Sequence, residues 1–264
     1  MHPIERLRYV ARATHVPADV LARETAMALA DFVGDDAGLL IACRRILDRQ
    51  PASGPLVWLA AHVLGAPNQR KALWDAVELL EEDSTQPALA YSLPDDAVVA
   101  SVGWADALST LARKRGDLGF VIIDTDGNAE YHIDRFIDDG QNIVTVDAEA
   151  IAQAVFGATH LLVSFDALGP EHGLAPIGSF PAAAVACHLG VPVWGIASIG
   201  VALNDRMYGG LTRRWNEQTN DSRYLREREE VPTTLVDQVV TTAGLITPEQ
   251  AVQAGGCPIV AELF

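Results

Sequence analysis

Leu162-Val163-Ser164-Phe165-Asp166-Ala167-Leu168-Gly169-Pro170-Glu171-His172-Gly173-Leu174-Ala175-Pro176-Ile177-Gly178-Ser179 is the stretch whose reading decides the fold. An apolar run that begins at His160 ends in an aspartate. A loop with Gly169, Gly173 and Gly178 follows, and a helix is predicted from Ser179. The run is continuously apolar and does not alternate, the mark of a strand covered on both faces. Working outward, the same unit recurs. Strands are predicted at 98–102, 120–124, 143–146, 160–164 and 191–196, with helices at 104–114, 129–138, 148–156 and 179–188. Apolar strands alternating with helices predict a parallel sheet, and right-handed crossovers make it a Rossmann-like, doubly wound α/β fold.

Upstream the pattern changes. Residues 3–85 carry apolar positions at helical spacing, broken at Pro51-Ala52-Ser53-Gly54-Pro55, with no strand-like alternation. This predicts a helical N-terminal domain over 1–85, a polar linker with two prolines over 86–94, and the Rossmann-like domain over 95–264. Within that domain the charged segment 204–230 reads as a solvated loop or a rim helix. A last helix is predicted near 233–242, and the apolar tail 257–264 is expected to dock on the core.

Composition narrows the function. Of 264 residues, 49% are hydrophobic, enough for a large core. No apolar run is long enough for a membrane span, and no leader-like stretch follows the charged start, so a cytoplasmic location is expected. A net charge of −16 disfavours nucleic acid and anionic membranes as partners. Cys43, Cys187 and Cys257 are far apart, without a C-x-x-C pair, and read as three buried thiols in a reducing compartment. No dinucleotide glycine motif, Walker loop, hydrolase elbow or H-E-x-x-H motif occurs. The seven histidines show no paired spacing. Neither a metal nor a cofactor is expected.

In a doubly wound sheet, ligands bind beyond the carboxyl ends of the strands, and Asp166 is predicted at such an end. Gly178 lets the backbone approach a ligand, and Ser179 suits a helix N-cap. Together they form a candidate phosphate seat on a helix N-terminus. On residue types alone, Asp166 reads equally as a turn cap and Ser179 as an ordinary helix cap.

This segment resembles the family of translation initiation factor two B alpha, beta and delta subunits, methylthioribose-1-phosphate isomerases and ribose-1,5-bisphosphate isomerases. There a Gly-Ala-Asp is followed by Asn-Gly and then Asn-Lys-Ile-Gly-Thr. Asp166 falls on the aspartate, Gly173 near the Asn-Gly glycine, and Ile177-Gly178-Ser179 on Ile-Gly-Thr. Arg49-Gln50-Pro51 looks like the Arg-Pro-Thr segment, and Val99-Ala100-Ser101-Val102-Gly103 like the strand end that carries the family's cysteine. Val231-Pro232 with Leu235, Val236, Thr241 and Gly244 is similar to the closing helix.

The resemblance implies a pocket for a small phosphorylated metabolite, a sugar phosphate or nucleotide, and a homodimer. In its isomerase members a cysteine and an aspartate move protons, or assist a hydride shift, between an aldose and a ketose 1-phosphate. This sequence has Gly103 in place of the cysteine, and Ala175-Pro176 in place of the Asn-Lys pair. Two functions stay open. One is a divergent non-catalytic or regulatory member that binds the ligand. The other is an isomerase with Asp166 as acid/base and His172 as its helper, since an imidazole can supply both a proton and a charge. In both, Arg49, Ser101, Gly103, Gly178 and Ser179 are the expected ligand contacts.

Overall fold

In the computed structural model, which describes residues 18–218 and 226–264, the strand–helix alternation winds into a seven-stranded sheet. The helical part comes first: α1 (Ala18–Leu29), α2 (Asp36–Arg49), α3 (Gly54–Gly65), α4 (Gln69–Glu81) and α5 (Thr85–Ser92). Asp35 and Asn68 start α2 and α4 by accepting hydrogen bonds from the Gly38 and Lys71 amides at 3.0 Å, as good N-cap residues do. The sheet part runs β1 (Val98–Val102), α6 (Asp106–Lys114), β2 (Gly119–Asp124), α7 (Ala129–Asp138), β3 (Asn142–Asp147), α8 (Ile151–Phe156) and β4 (His160–Ser164). It continues through β5 (Ala167–Leu168), β6 (His172–Pro176), α9 (Ser179–Leu189), β7 (Val193–Ile196), α10 (Asp205–Gln218), β8 (Arg228–Pro232), β9 (Gln238–Thr241), β10 (Gly244–Ile246) and α11 (Pro248–Ala254).

The strand order is β10-β9-β7-β4-β1-β2-β3, with every pair parallel except β9 and β10. The chain moves outward from β1 to β3, then crosses back to β4 beside β1. The topological switch point therefore lies between β1 and β4, and Gly103 and Asp166 follow those two strands. One face is covered by α8, α9 and α11 through Val155, Ala183 and Ala251, against Ala100 and Val102. The other is covered by α5 and α6 through Leu89, Leu108 and Leu111, against Val99, Ile122 and Leu162.

Four elements differ from the sequence reading. Residues 86–94, expected as a linker, lie largely in α5, and Leu89, Ala90 and Leu93 are buried against the sheet. The glycine-containing loop after Asp166 holds β5 and β6, which join β8 in a small antiparallel sheet. The segment 204–230 supplies α10, whose Met207, Leu211 and Trp215 enter the helical core together with Leu263. The helical unit is thus completed by residues from the far end of the chain and is not closed at residue 85. Finally, 233–242 is a short 3-10 turn and the strand β9, because Val236, Val239 and Val240 are β-branched and pack into the sheet.

Among the described residues, no helix is long and apolar enough to cross a membrane. Of the three thiols expected to be buried, Cys43 is buried, Cys257 half-buried and Cys187 exposed.

Candidate functional site

Asp166 stands immediately after β4, on the short link into β5. Its backbone is fixed twice: its amide donates to the Leu174 carbonyl and its carbonyl accepts from the Gly54 amide, both at 2.8 Å. The start of α3 therefore presses on the loop that carries the carboxylate. A side chain at Gly54 would have no room, since a Cβ there would lie 2.7 Å from the Asp166 carbonyl and 3.1 Å from those of Gly200 and Val201.

The Asp166 carboxylate accepts from the Arg228 Nε at 2.5 Å. Arg228 is placed by the register of β8 on β6, opposite Pro176. Asp166 sits deep among neighbouring atoms, yet about a third of each partner's side chain stays open to solvent (32% and 35%). The pair therefore lines a recess rather than a sealed core. Burial pushes the Asp166 carboxyl above its ordinary value, and the Arg228 charge and hydrogen bond pull it back down. Arg228 is held as a cation mainly by Asp166, with Glu227 and Asp126 adding to it.

The next residue on β8 decides the electrostatics of the site. One Glu229 carboxylate oxygen accepts from the Gly178 amide at 2.6 Å and the Phe180 amide at 2.9 Å. The N-terminus of α9, with its free donors and positive dipole end, already holds an anion from its own chain. Gly178 is the N-cap, in the left-handed region at φ 97°, and Ser179 is the first helical residue, buried, with no capping bond from its side chain. The expected N-cap moves back by one because only glycine adopts that conformation without strain. A Cβ at Gly178 would also meet the Thr125 methyl at 2.9 Å and Val102 at 3.5 Å. The ends of β1 and β2 thus converge with the α9 N-terminus.

The remaining expected residues are distributed unevenly. Gly103 closes β1 at φ 67°, its amide donating to the Ile123 carbonyl at 2.9 Å, with open space where a side chain would extend. It lies at the switch point but offers no nucleophile. Ser101 points away: Ala100 and Val102 face α9, so alternation sends Ser101 to the opposite face, where its hydroxyl is buried without a partner. His172 opens β6 opposite Pro232, three residues along that strand from Ala175, which continues the register to Asp166. That is a separation of about 10 Å, so His172 is not brought to the carboxylate. Arg49 is exposed at the end of α2, and among the described residues no ion pair joins it to Asp166. Burial pushes both the Cys43 and the Cys257 thiol up to about 12, so neither supplies a thiolate. No cluster of metal-ligating side chains occurs among the described residues.

Arg228 and Glu229 escaped the sequence reading. They belong to the run Arg226-Glu227-Arg228-Glu229-Glu230, whose composition is that of a solvated surface. Its only signal is the adjoining Val231-Pro232, which marks the end of a strand. Among the described residues, the assembled recess holds one guanidinium, Arg228, near the carboxylates of Asp166, Glu227 and Asp126, while Glu229, the next residue on β8, is engaged by the α9 amides. It can hydrogen-bond a polar ligand and exchange a proton at Asp166. It takes an added anion at the α9 amides only if Glu229 leaves them.

No family model matches the chain, and no curated protein does. Solved structures do. The chain is similar to the translation initiation factor eIF-2B of Pyrococcus horikoshii OT3, with a TM-score of 0.74 and 14% identity over 95% of this chain and 98% of that one. It is similar to a chain of the tetrameric eIF2B-beta2-delta2 complex of C. thermophilum, with a TM-score of 0.70 and 16% identity over 96% and 93%. It is also similar to the 5-methylthioribose 1-phosphate isomerase of Pyrococcus horikoshii OT3, with a TM-score of 0.64 and 15% identity over 95% and 86%. At such identities the likeness shows the fold, and the proteins that share it are those the sequence resemblance named.

Proposed function

We propose that this chain is a non-catalytic member of the initiation-factor-two-B and sugar-phosphate-isomerase fold. In this reading it binds a small phosphorylated ligand at the mouth formed by Asp166, Arg228 and the α9 N-terminus. The observation that carries the proposal is the pairing of Gly103 at the switch point with Asp166 engaged by Arg228. Where a reacting thiol belongs in the isomerase members there is a glycine, and no other thiol of the chain replaces it. The remaining groups suit recognition: a guanidinium, a recessed carboxyl and two backbone amides. Since Glu229 now occupies those amides, a phosphate binds by exchange with it, and the carboxylate swings out as the ligand enters.

The test is a thermal-shift panel of sugar 1-phosphates, bisphosphates and nucleotides on wild type and Glu229→Ala, followed by NMR of the best ligand's C1 and C2 protons. A ligand at a hundredfold over its dissociation constant stabilises by ~2.7 kcal/mol. Stabilisation without turnover, enhanced in the variant, is the expected result. No response from either protein to any phosphorylated compound refutes the reading.

One observation favours catalysis instead. Burial raises the Asp166 carboxyl toward the range of a useful acid/base. Under that alternative the wild type converts an aldose 1-phosphate to its ketose and Asp166→Asn does not.

A further inference from the structure

The start of α9 lies between two exposed carboxylates. On one side is the end of β2: a Cβ at Gly178 would lie 2.9 Å from the Thr125 methyl, and Asp126 is the next residue. The turn that carries Asp126 is fixed. The Asp124 carboxylate accepts from the Gly127 amide at 2.8 Å, and Asp126 accepts from the Asn128 amide at 3.0 Å. On the other side is the approach to β8, where the Glu227 carbonyl accepts from the Ile177 amide at 3.0 Å. The Glu227 side chain is 90% exposed and stands 3.8 Å from Arg228. Asp166 above all, and Glu227 and Asp126 with it, hold the Arg228 guanidinium as a cation, so the three charges surround one small region.

This arrangement sets a condition on the ligand. In the proposed function a phosphate takes the Gly178 and Phe180 amides from Glu229. It then has Asp126 and Glu227 at its flanks and the displaced Glu229 beside it, while Arg228 is already paired to Asp166. Like charges brought together in a partly desolvated recess repel one another. The isomerases that the chain resembles carry a lysine at the position of Pro176, and Pro176 lies opposite Arg228 in the β6–β8 register. A cation is therefore missing at the mouth, two residues before Gly178. Room exists for a ligand group there, since a side chain at Gly103 would meet nothing within 4 Å.

We propose that the ligand brings this cation itself: it is a phosphorylated amino sugar, with an ammonium on the carbon next to the one that carries the phosphate. The inference rests on the phosphate-binding reading above and narrows it. A 2-amino-2-deoxy sugar 1-phosphate has this form. With its phosphate on the α9 amides, its ammonium is offered to the carboxylates of Asp126 and Glu227, and three N–H donors are enough to serve both. A neutral sugar of the same shape leaves those carboxylates facing the phosphate uncompensated. Asp126 and Glu227 are then the residues that set specificity, by attracting one sugar and repelling the other.

Calorimetric titration at low salt in EDTA tests this with three probes: 2-amino-2-deoxyglucose 1-phosphate, glucose 1-phosphate and N-acetylglucosamine 1-phosphate. All share the ring and the phosphate, and only the first carries an ammonium. The proteins are wild type, Glu229→Ala, and the double variant Asp126→Asn with Glu227→Gln. Asparagine at 126 still accepts from the Asn128 amide, and urea midpoints check that the double variant folds. Wild type should bind the amino sugar about tenfold or more tighter than either uncharged probe. That preference should shrink as salt is raised, and the double variant should bind the amino sugar and glucose 1-phosphate within about twofold of each other. Glucose 1-phosphate bound by wild type as tightly as the amino sugar overturns the inference and leaves the phosphate-binding reading intact. So does a preference that the double variant keeps. So does glucose 1-phosphate matching the amino sugar once magnesium replaces EDTA, which assigns the missing charge to a metal ion. No heat from any probe with wild type or Glu229→Ala refutes both.

Discussion

Replacing Gly54 with alanine probes the joint between the helical unit and the loop that carries Asp166. The added Cβ would lie 2.7 Å from the Asp166 carbonyl oxygen and 3.1 Å from two further backbone carbonyls. None of these is the end of a flexible side chain, so the backbone itself must move. Overpacking of this kind costs about 1 to 3 kcal/mol. Stretching the Gly54 amide bond to Asp166, now 2.8 Å, adds about 1 kcal/mol. Alanine recovers up to about 1 kcal/mol of helix propensity. The net expectation is a loss of about 1 to 4 kcal/mol, read as a lower urea midpoint with an unchanged m-value. Serine at this position should cost at least as much. Because the strain falls on the Asp166 carbonyl, ligand binding at the recess should weaken along with stability. A Gly54→Ala protein as stable as wild type would refute the close approach of α3 to the Asp166 loop.

Other perturbations have equally definite outcomes. Arg228→Ala leaves the Asp166 carboxyl recessed without its cation and should cost about 1 to 3 kcal/mol, less than a sealed pair because water reaches both groups; urea midpoints at neutral pH measure it. Burial holds the Asp166 carboxyl above the ordinary carboxylate value, so the folded chain binds that proton more tightly than the unfolded one. Its contribution to stability is then present below about 4 and is lost as pH climbs through the raised value. Asp166→Asn should remove that part of the slope in a pH series of unfolding midpoints. Leu263→Ala empties a fully buried position in the helical core and should cost about 2 to 4 kcal/mol, loosening α10 as well in hydrogen exchange. Gly103→Cys has room for its side chain but holds φ 67°; it should lose about 1 kcal/mol and confer no isomerase turnover, as assayed by NMR of sugar 1-phosphates.

The sheet was legible in the sequence because each parallel strand is a short, continuously apolar run closed by a helix. Asp166 was legible for the same reason, standing where such a run ends. What could not be read was carried by pairing between distant segments. Ala167-Leu168 is too short to announce a strand, and Arg228-Glu229-Glu230-Val231-Pro232 is too charged, yet antiparallel pairing with β6 makes both into one small sheet. Only that register places Glu229 on Gly178, 51 residues away. The segment 86–94 misled for the opposite reason: its polar residues and prolines suggested a linker, while Leu89, Ala90 and Leu93 bury themselves against the sheet. Gly178 rather than Ser179 became the N-cap because the turn requires a left-handed residue, a demand visible only in the backbone.

Calorimetric titration of sugar 1-phosphates into wild type and Glu229→Ala, with NMR of the same samples for ketose product, bears most directly on the recess as a ligand site without chemistry. The account predicts saturable binding to both proteins, about tenfold or more tighter in the variant because a carboxylate no longer competes for the Gly178 and Phe180 amides, and no ketose from either. Heat of binding absent from both, or ketose accumulating with the wild type, would contradict it.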